Sequence, residues 1–305
     1  MRRTRFSLEE QKGSVALNSE RHRLKHMLHV ERMKREHFSF AVQLANTMDW
    51  NMGEPDFEFN VNLEPDGCFV LFQAEDPIGI ATCVSYGKTG WFGNLAVKEE
   101  HRKAGAGTII VKYAIKYLKE KGVEIIGLYA YDYLVGFYEK LGFKPHNDFV
   151  VLNGKPSVCR PHGTSMKVRK KDIPGLIDLD RRCFGWERQK LLNHLLLDKA
   201  NLSYLFLHKN KIAGFAAAKV YDVMAEIGPV ICNQEHTDAA IDLLRTLLYN
   251  LRNRNIYAYV PVEAKCLLTT LLAWGLQEKF FVKRMFLGAL NAQSCVYFPE
   301  SLERG

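Results

Sequence analysis

The sequence predicts a mixed α/β fold built from two tandem domains, each with a central mixed β-sheet flanked by helices. In residues 28–152, strand-like apolar runs lead into a long amphipathic segment, after which strands and helices alternate. Residues 202–287 repeat this order. Three glycine pairs recur at offsets of 135, 135 and 133 residues, namely Gly79 and Gly214, Gly93 and Gly228, and Gly142 and Gly275. Such a repeat indicates duplication of one architecture.

The elements of the first half follow from hydrophobic spacing and turn residues. Phe38, Val42 and Ala45 fall on one face of a helix, whereas Asp76–Pro77 and Gly87–Gly90 are turn signals between strands. We expect strand Leu28–Arg32, helix Phe38–Met48, loop Asp49–Phe59, strands Cys68–Gln73, Ile78–Tyr86 and Trp91–Val97, helix Gly105–Lys119, strand Val123–Ala130, helix Leu134–Leu141 and strand Phe143–Leu152.

The second half shows the same kind of pattern after a stretch rich in Pro and Gly. Its expected elements are strands Leu202–His208, Ile212–Tyr221 and Glu226–Cys232, helix Asp238–Arg252, strand Ile256–Val262, helix Leu267–Trp274 and strand Phe280–Leu287. The predicted organisation is a basic extension over 1–26, an N-terminal domain over 27–153, a linker over 154–164, a C-terminal domain over 165–290 and a tail over 291–305.

Composition and charge exclude several classes of protein. Apolar residues make up 47% and charged residues 25%, the ordinary mixture of a folded soluble chain, and no apolar run approaches the roughly 20 residues of a membrane span. Residues 1–37 hold ten Lys/Arg and five acids, so they carry +5 of the net +8. Because the remaining body is only mildly basic, we expect neither a membrane nor a nucleic-acid partner. The basic leader keeps a nucleic-acid-associated protein as an alternative.

The cysteines and histidines show no pattern of a disulfide framework or a metal site. The seven cysteines are odd in number and include no CxxC pair, and the histidines lack metal-ligand spacing. This favours reduced thiols in a cytoplasmic protein without a metal.

The strongest chemical signal is the run NLAVKEEHRKAGAGTIIV, residues 94–111. A strand leads into a loop of pattern Arg102-x-x-Gly105-x-Gly107, and the loop opens a helix. The first N–H groups of a helix have no intrahelical acceptor and lie at its positive end, and glycines let an anion approach the backbone. The loop therefore predicts a phosphate-binding site, or else a tight strand-to-helix turn without a ligand. It is neither a P-loop, which needs Lys after the last glycine, nor a dinucleotide fingerprint, which needs a third glycine.

The loop resembles the pyrophosphate-binding motif of the GNAT superfamily of N-acetyltransferases, whose pattern is Arg/Gln-x-x-Gly-x-Gly/Ala. Some thirty residues later, Phe137–Phe143 (FYEKLGF) resembles the end of the same superfamily's signature. The resemblance covers about residues 28–152, and the degenerate second half is similar to that of tandem-GNAT proteins. It implies acetyl-CoA as cosubstrate and direct attack of a primary amine on the acetyl group, with no metal and no covalent enzyme intermediate.

The resemblance also implies roles for individual residues. The backbone of Leu95, Ala96 and Val97 would pair with the pantetheine arm of CoA. Tyr138 matches the tyrosine that protonates the leaving thiolate, with a packed core aromatic as the alternative. Tyr131 stands where many members have an asparagine that helps to bind pantetheine, so this contact is not carried over. The residues implied to hold the pyrophosphate are Arg102, Lys103, Ala104, Gly105, Ala106, Gly107 and Thr108.

The acceptor amine must lose a proton, and a carboxylate, or a water held by one, can take it. Asp49 and Glu54 are our candidates for this base, and Asp56 and Asp132 are alternatives. Four acids within residues 49–58 indicate a cationic acceptor, either a small molecule or a peptide. The sequence identifies neither the particular acceptor nor an oligomeric state.

The second half departs from the loop motif. At the position of Arg102–Gly107 it has Thr237–Asp242, without glycine and with two aspartates. We therefore expect it to bind no CoA, and either to complete the acceptor pocket or to hold the domains together. A module that binds CoA or acyl-CoA as a sensor, without turnover, is the alternative to an enzyme.

Overall fold

The computed structural model describes residues 28–161, 163, 165–289 and 295–305, so the predicted extension over 1–26 lies outside the described residues. Contacts between Cα atoms divide the chain into two units. The first contains the described residues up to Thr82 together with Asn94–Tyr117, and the second contains Cys83–Gly93 and Leu118–Gly305. The domain bounds derived from the sequence stay a prediction.

The predicted mixed α/β architecture is confirmed. Among the described residues the strands are β1 (Leu28–Arg32), β2 (Cys68–Gln73), β3 (Asp76–Tyr86), β4 (Thr89–Val97), β5 (Ile125–Tyr131), β6 (Lys144–Gly154), β7 (Met166–Lys167), β8 (Leu202–His208), β9 (Lys211–Val220), β10 (Met224–Asn233), β11 (Asn255–Pro261), β12 (Gln277–Leu287) and β13 (Cys295–Phe298). The α-helices of the same residues are α1 (Phe38–Asn46), α2 (Glu54–Leu63), α3 (Ala106–Glu120), α4 (Val135–Glu139), α5 (Ile173–Phe184), α6 (Gln189–Leu197), α7 (Thr237–Asn250) and α8 (Lys265–Ala273). None of these helices combines the length and apolar character that crossing a bilayer requires.

Helix α2 corrects the sequence analysis, which expected a loop over residues 49–59. The carboxylate of Asp56 accepts a hydrogen bond from the Gly53 N–H at 2.9 Å, which caps the first turn of the helix. Pro55 lies in that turn, where its missing N–H costs nothing. Phe57 and Leu63 are buried on the inner face. The acids and the Gly/Pro residues that indicated a loop are therefore the start signals of a helix.

The first unit pairs β1 with β2 and β2 with β3, in both cases antiparallel. Helix α1 places small and large apolar side chains against these strands at helical spacing. The buried side chains of this core are Met33, Phe38, Ala41, Leu44, Ala45, Phe57, Cys68, Val70, Phe72, Ile80 and Ala96.

In the second unit the two repeats exchange their last strands. The strand order is β5–β12–β6–β11–β10–β9–β8–β7, so the last strand of each repeat lies beside the fifth strand of the other. The registers match as well, because Tyr131 is opposite Val282 and Pro261 is opposite Phe149. This equivalence confirms the duplication. The sequence does not predict this exchange, because β6 and β12 each have consecutive buried apolar residues near their ends, which do not specify a partner strand.

The prediction that all cysteines are reduced thiols is wrong for one pair. Cys183, near the end of α5, forms a disulfide with Cys295, the first residue of β13. The two residues are 112 positions apart, and only the fold brings them together. Cys68 and Cys232 are free, and burial raises the pKa of each thiol to about 12, so both are inert.

Candidate functional site

The junction between β4 and α3 is an eight-residue connection, 98–105, in the first unit. Its backbone turns through two left-handed residues, Lys103 with φ +61° and Gly105 with φ +95°. Arg102 reaches back along the chain, and its Nε donates a hydrogen bond to the Val97 carbonyl at 2.8 Å. The loop is thereby folded over the end of β4, and the side chains of Arg102, Lys103 and Ala104 remain exposed.

The start of α3 offers backbone N–H groups to this loop. Ile109 N donates to Gly105 O at 3.2 Å and closes the first turn, so the N–H groups of Ala106, Gly107 and Thr108 precede the first helical hydrogen bond. A Cβ placed on Gly105 would meet no atom within 4 Å, so the space beside this residue is open. Unpaired N–H groups, the positive end of a helix and two exposed cations together form an anion-binding arrangement.

The part of β4 that enters the loop contains a buried polar residue in an unusual conformation. Asn94 is 9% exposed and has φ +48°. Its Oδ1 accepts hydrogen bonds from Thr82 Oγ1 at 2.8 Å and from Asn60 Nδ2 at 3.5 Å, and its Nδ2 donates to Met52 Sδ at 3.3 Å. Asparagine tolerates the left-handed region better than other non-glycine residues. Asn94 therefore fixes the backbone immediately before Leu95.

The parallel ladder between β4 and β5 is short. It pairs Thr89–Trp91 with Ile125–Gly127, and both strands continue beyond these residues. In the second repeat the equivalent ladder pairs Met224–Ile227 with Asn255–Ala258. Parallel neighbours that pair only at their start leave backbone groups for another partner.

In the second repeat, the backbone groups of β10 that do not pair with β11 have another strand of the same chain as their partner. Beyond Ile227, β10 pairs with β13, with Val230 opposite Phe298 and Asn233 opposite Cys295. The connection from β10 to α7 has only three residues, 234–236, and no glycine. The second repeat therefore has neither the long glycine loop nor a free strand edge at this place.

Tyr138 lies on the short helix α4 in the second unit and is 4% exposed. Its ring packs edge-on against Phe92, Phe137 and Phe143, with centroid distances of 6.4, 5.0 and 5.8 Å. Burial, and next the nearby Tyr133, raise the pKa of the phenol above its ordinary value. The hydroxyl therefore keeps its proton throughout the neutral range.

The candidate carboxylates differ in their surroundings. Asp49 has φ +58° at the turn after α1, Glu54 is the first residue of α2, and both are exposed. Asp56 caps α2 and so has a structural role. Asp132 begins the turn after β5 and is exposed.

Aromatic side chains surround the end of β5, where the sequence departs from the expected asparagine. The ring of Tyr131 stacks on that of Tyr133, with a centroid distance of 5.6 Å and an interplanar angle of 7°. Its centroid lies 5.4 Å from that of Phe280. Tyr133 is 72% exposed and Phe280 39%. An aromatic surface thus replaces a hydrogen-bonding amide at this position.

A cavity of about 650 Å³ lies between α5 and α6 in the second unit. This volume is in the range of small-molecule sites. Trp186 and Glu187 form one wall, and Asp178, which pairs with Arg181, forms another. The expectation that the second half completes an acceptor pocket stays a prediction.

Two family models match the chain. Residues 31–143 match a model described as Acetyltransferase (GNAT) family, and residues 176–295 match one described as Acetyltransferase (GNAT) domain. A protein of Bacillus subtilis (strain 168), named as a candidate acetyltransferase, is 33% identical over 89 residues. This match covers 29% of the present chain and 60% of the relative, which is less than two thirds of the relative's length.

Solved structures share the fold over most of the chain. A Pyrococcus horikoshii protein, named as a candidate acetyltransferase, has a TM-score of 0.78 at 20% identity, over 92% of this chain and 96% of that one. A tandem GNAT protein from the clavulanic acid biosynthesis pathway has a TM-score of 0.59 at 12% identity, over 87% and 100%. Identities this low show the fold alone.

Proposed function

The chain belongs to the GNAT superfamily of acetyltransferases and contains two of its domains, and from this premise we propose that it moves an acetyl group from acetyl-CoA to a primary amine. The family supports acyl transfer in general. The observation that carries the donor assignment is the junction of β4 and α3, where an exposed arginine and lysine stand beside the open N-terminus of a helix.

The residues of the junction fit a diphosphate. Gly105 adopts a left-handed φ that favours glycine, and the open space at its Cα admits a phosphate to the N–H groups of residues 106–108. Arg102 and Lys103 add two positive charges that are exposed to solvent. Acetyl-CoA, when bound, supplies an activated thioester. Leu95, Ala96 and Val97 would orient its pantetheine arm through backbone hydrogen bonds.

Direct attack requires two proton movements. A C–N bond forms as the C–S bond breaks, the amine loses a proton, and the departing thiolate gains one. Tyr138 is our donor to the thiolate, because it stands in the FYEKLGF segment and its hydroxyl holds a proton in the neutral range. We assign the acceptance of the amine proton to Asp49 or Glu54, or to a water that one of them holds.

The acceptor is proposed to be a cationic small molecule or peptide. Its class is supported by the four acids of residues 49–58, three of which are exposed. We also propose that the second repeat binds no CoA, because its strand edge is paired with β13 and its β10–α7 connection has three residues. Cytoplasmic localisation stays a prediction.

A titration of CoA into the full chain tests the donor assignment. Arg102→Glu should weaken the affinity at least about tenfold, which is about 1.4 kcal/mol, because it reverses a charge beside the diphosphate. Lys119→Glu, at the opposite end of α3, changes the net charge equally and should leave the affinity unchanged. Equal affinities of both variants and the wild type would remove the basis of the proposal.

A second measurement separates an enzyme from a sensor. Amine-dependent release of CoA from acetyl-CoA is followed with a panel of polyamines, amino acids and lysine peptides. Turnover with any member supports the transferase. Tight CoA binding without turnover across the panel supports the sensor.

A further inference from the structure

The C-terminal segment that follows β13, residues 299–305, forms a buried turn in the second unit. Gly305 N donates to Ser301 O, and Glu300 N donates to Gly305 O, both at 3.2 Å. Glu300 and Arg304 are 1% and 2% exposed, and they form an ion pair at 2.8 Å. Each of these two buried charges therefore has a partner, which offsets the cost of removing it from water.

Another buried arginine holds the turn from the side of α6. The Nη1 of Arg188, which is 1% exposed, donates to Gly305 O at 2.6 Å, and its Nη2 pairs with Asp180 at 2.5 Å. At the other end of the segment, β13 is paired with β10, and its first residue is joined to α5 by the disulfide. The turn is therefore anchored on both sides within its own repeat.

The outer side of this turn contacts the hairpin that leads into β4. Tyr86 Oη donates to Arg304 O at 2.9 Å, and Trp91 Nε1 donates to Leu302 O at 3.0 Å. At Gly93 the approach is closer still, because a Cβ there would lie 2.5 Å from the Cα of Glu303. Any side chain at position 93 would have to displace the turn or the strand.

The two repeats use equivalent glycines for this contact. Gly228, which is 135 residues after Gly93, has its Cα against the carbonyl oxygen of Pro299, where a Cβ would overlap it. One short turn thus lies against the matching position of both β4 and β10. This explains why a glycine is present at both positions, since only a bare Cα permits the approach.

From these contacts we propose that residues 299–305 are a positioning element for acetyl transfer: they hold β4 at Trp91 and Gly93, directly before the residues that orient the thioester. Gly93 is followed in the chain by Asn94 and Leu95, so a displacement at Gly93 is passed along the strand. The inference rests on the proposed function, because the consequence it assigns is the alignment of the acyl group.

The experiment compares the full-length variants Gly93→Ala and Gly136→Ala. The added methyl group collides with Glu303 in the first, whereas a Cβ at Gly136, in α4, meets no atom within 4 Å. In Gly93→Ala we expect deuterium uptake of the peptide spanning 89–97 to be about tenfold faster. We expect kcat for amine-dependent CoA release to fall about tenfold, with KM for acetyl-CoA within about threefold, because the diphosphate loop is intact. Gly136→Ala should match the wild type in all three.

Trp91→Phe provides a second test from the other contact. It removes the N–H donor to Leu302 and part of a ring that is packed among buried aromatic side chains, so it should shift uptake and kcat in the same direction. Removal of residues 299–305 combined with Gly93→Ala should be no worse than the removal alone, since both act through one contact. If the removal prevents folding, the full-length variants Gly93→Ala and Trp91→Phe test the proposal by themselves.

Wild-type uptake and kcat in folded Gly93→Ala would overturn the proposal, and so would additive effects in the combined variant. A failure of the proposed function is distinguishable. If the wild type binds no CoA, the transferase assignment fails whatever the uptake shows. If CoA binds and Arg102→Glu abolishes binding while Gly93→Ala is neutral, only the positioning role fails.

Discussion

The conformation of Asn94 leads to a measurable prediction about β4. Asn94→Ala removes the acceptor of the Thr82 hydroxyl and also places alanine at φ +48°. The left-handed conformation costs alanine about 1–2 kcal/mol, and the unsatisfied buried hydroxyl costs about 1–3 kcal/mol, so we expect a loss of about 2–5 kcal/mol in the free energy of unfolding. Asn94→Gly loses the same acceptor but adopts the backbone conformation freely, so it should be the less destabilised of the two by about 1 kcal/mol.

Urea unfolding of the two full-length variants, followed by circular dichroism, measures this difference. Thr82→Val supplies the control, because it removes the donor and leaves the backbone unchanged. In the Thr82→Val background, Asn94→Gly should cost about 1 kcal/mol less than in the wild type, since the hydrogen bond is already absent. Equal losses for Asn94→Ala and Asn94→Gly would show that the left-handed conformation places no constraint on this residue, and the reasoning would be refuted.

Three further predictions concern the loop, the proposed acid and the C-terminal turn. Gly105→Ala and Gly122→Ala place alanine at φ +95° and +82° with open space in both cases, so each should lose about 1 kcal/mol of stability, but only Gly105→Ala should weaken CoA binding in a titration. Tyr138→Phe should keep CoA affinity and lower the rate of CoA release at least about tenfold between about pH 6 and 9; an unchanged rate would exclude it as the acid. Burial would raise the pKa of Glu300, but Arg304 and then Lys219 lower it from 4.5 to about 2. The lowered pKa of Glu300 contributes up to about 3 kcal/mol to the free energy of unfolding above pH 4.5, and this contribution is lost as the pH falls to about 2. Glu300→Gln should flatten that pH dependence of unfolding, and an unchanged slope would contradict it.

The features that the sequence predicts well are those encoded by neighbouring residues. Local periodicity predicts the strand before Gly105 and the helix after it, and the structure has both elements. Glycine tolerates a positive φ, and Gly105 adopts one. The left-handed conformation of Lys103 has no such signal, because lysine gives no indication of it. Helix α2 was missed because Gly53, Pro55 and Asp56 serve equally well in a loop and at a helix start.

The features that the sequence does not predict depend on residues far apart in the chain. The exchange of β6 and β12 joins strands of the two repeats. The Cys183–Cys295 disulfide joins two distant parts of the second repeat. The sequence also does not predict the burial of residues 299–305. Residues 302–305 (LERG) include two charged side chains, which are typical of a solvated tail. A buried Glu300–Arg304 pair four residues apart is a pattern that exposed helices also show, so its spacing alone does not indicate burial.

The two repeats of the duplicated architecture share one feature of their fourth strands, β4 and β10, and differ in another. Gly93 and Gly228 remain glycine in both, because both lie against the C-terminal turn. The connection after the fourth strand has diverged: eight residues with an open, left-handed Gly105 in one repeat, three residues without glycine in the other. In the first repeat the space beside Gly105 is open, whereas in the second repeat β13 occupies the strand edge. If the proposed roles hold, transplanting residues 98–105 into the second repeat would not create a CoA site unless β13 were also removed, because the loop supplies only the diphosphate contacts and β13 would still pair with the edge that pantetheine needs.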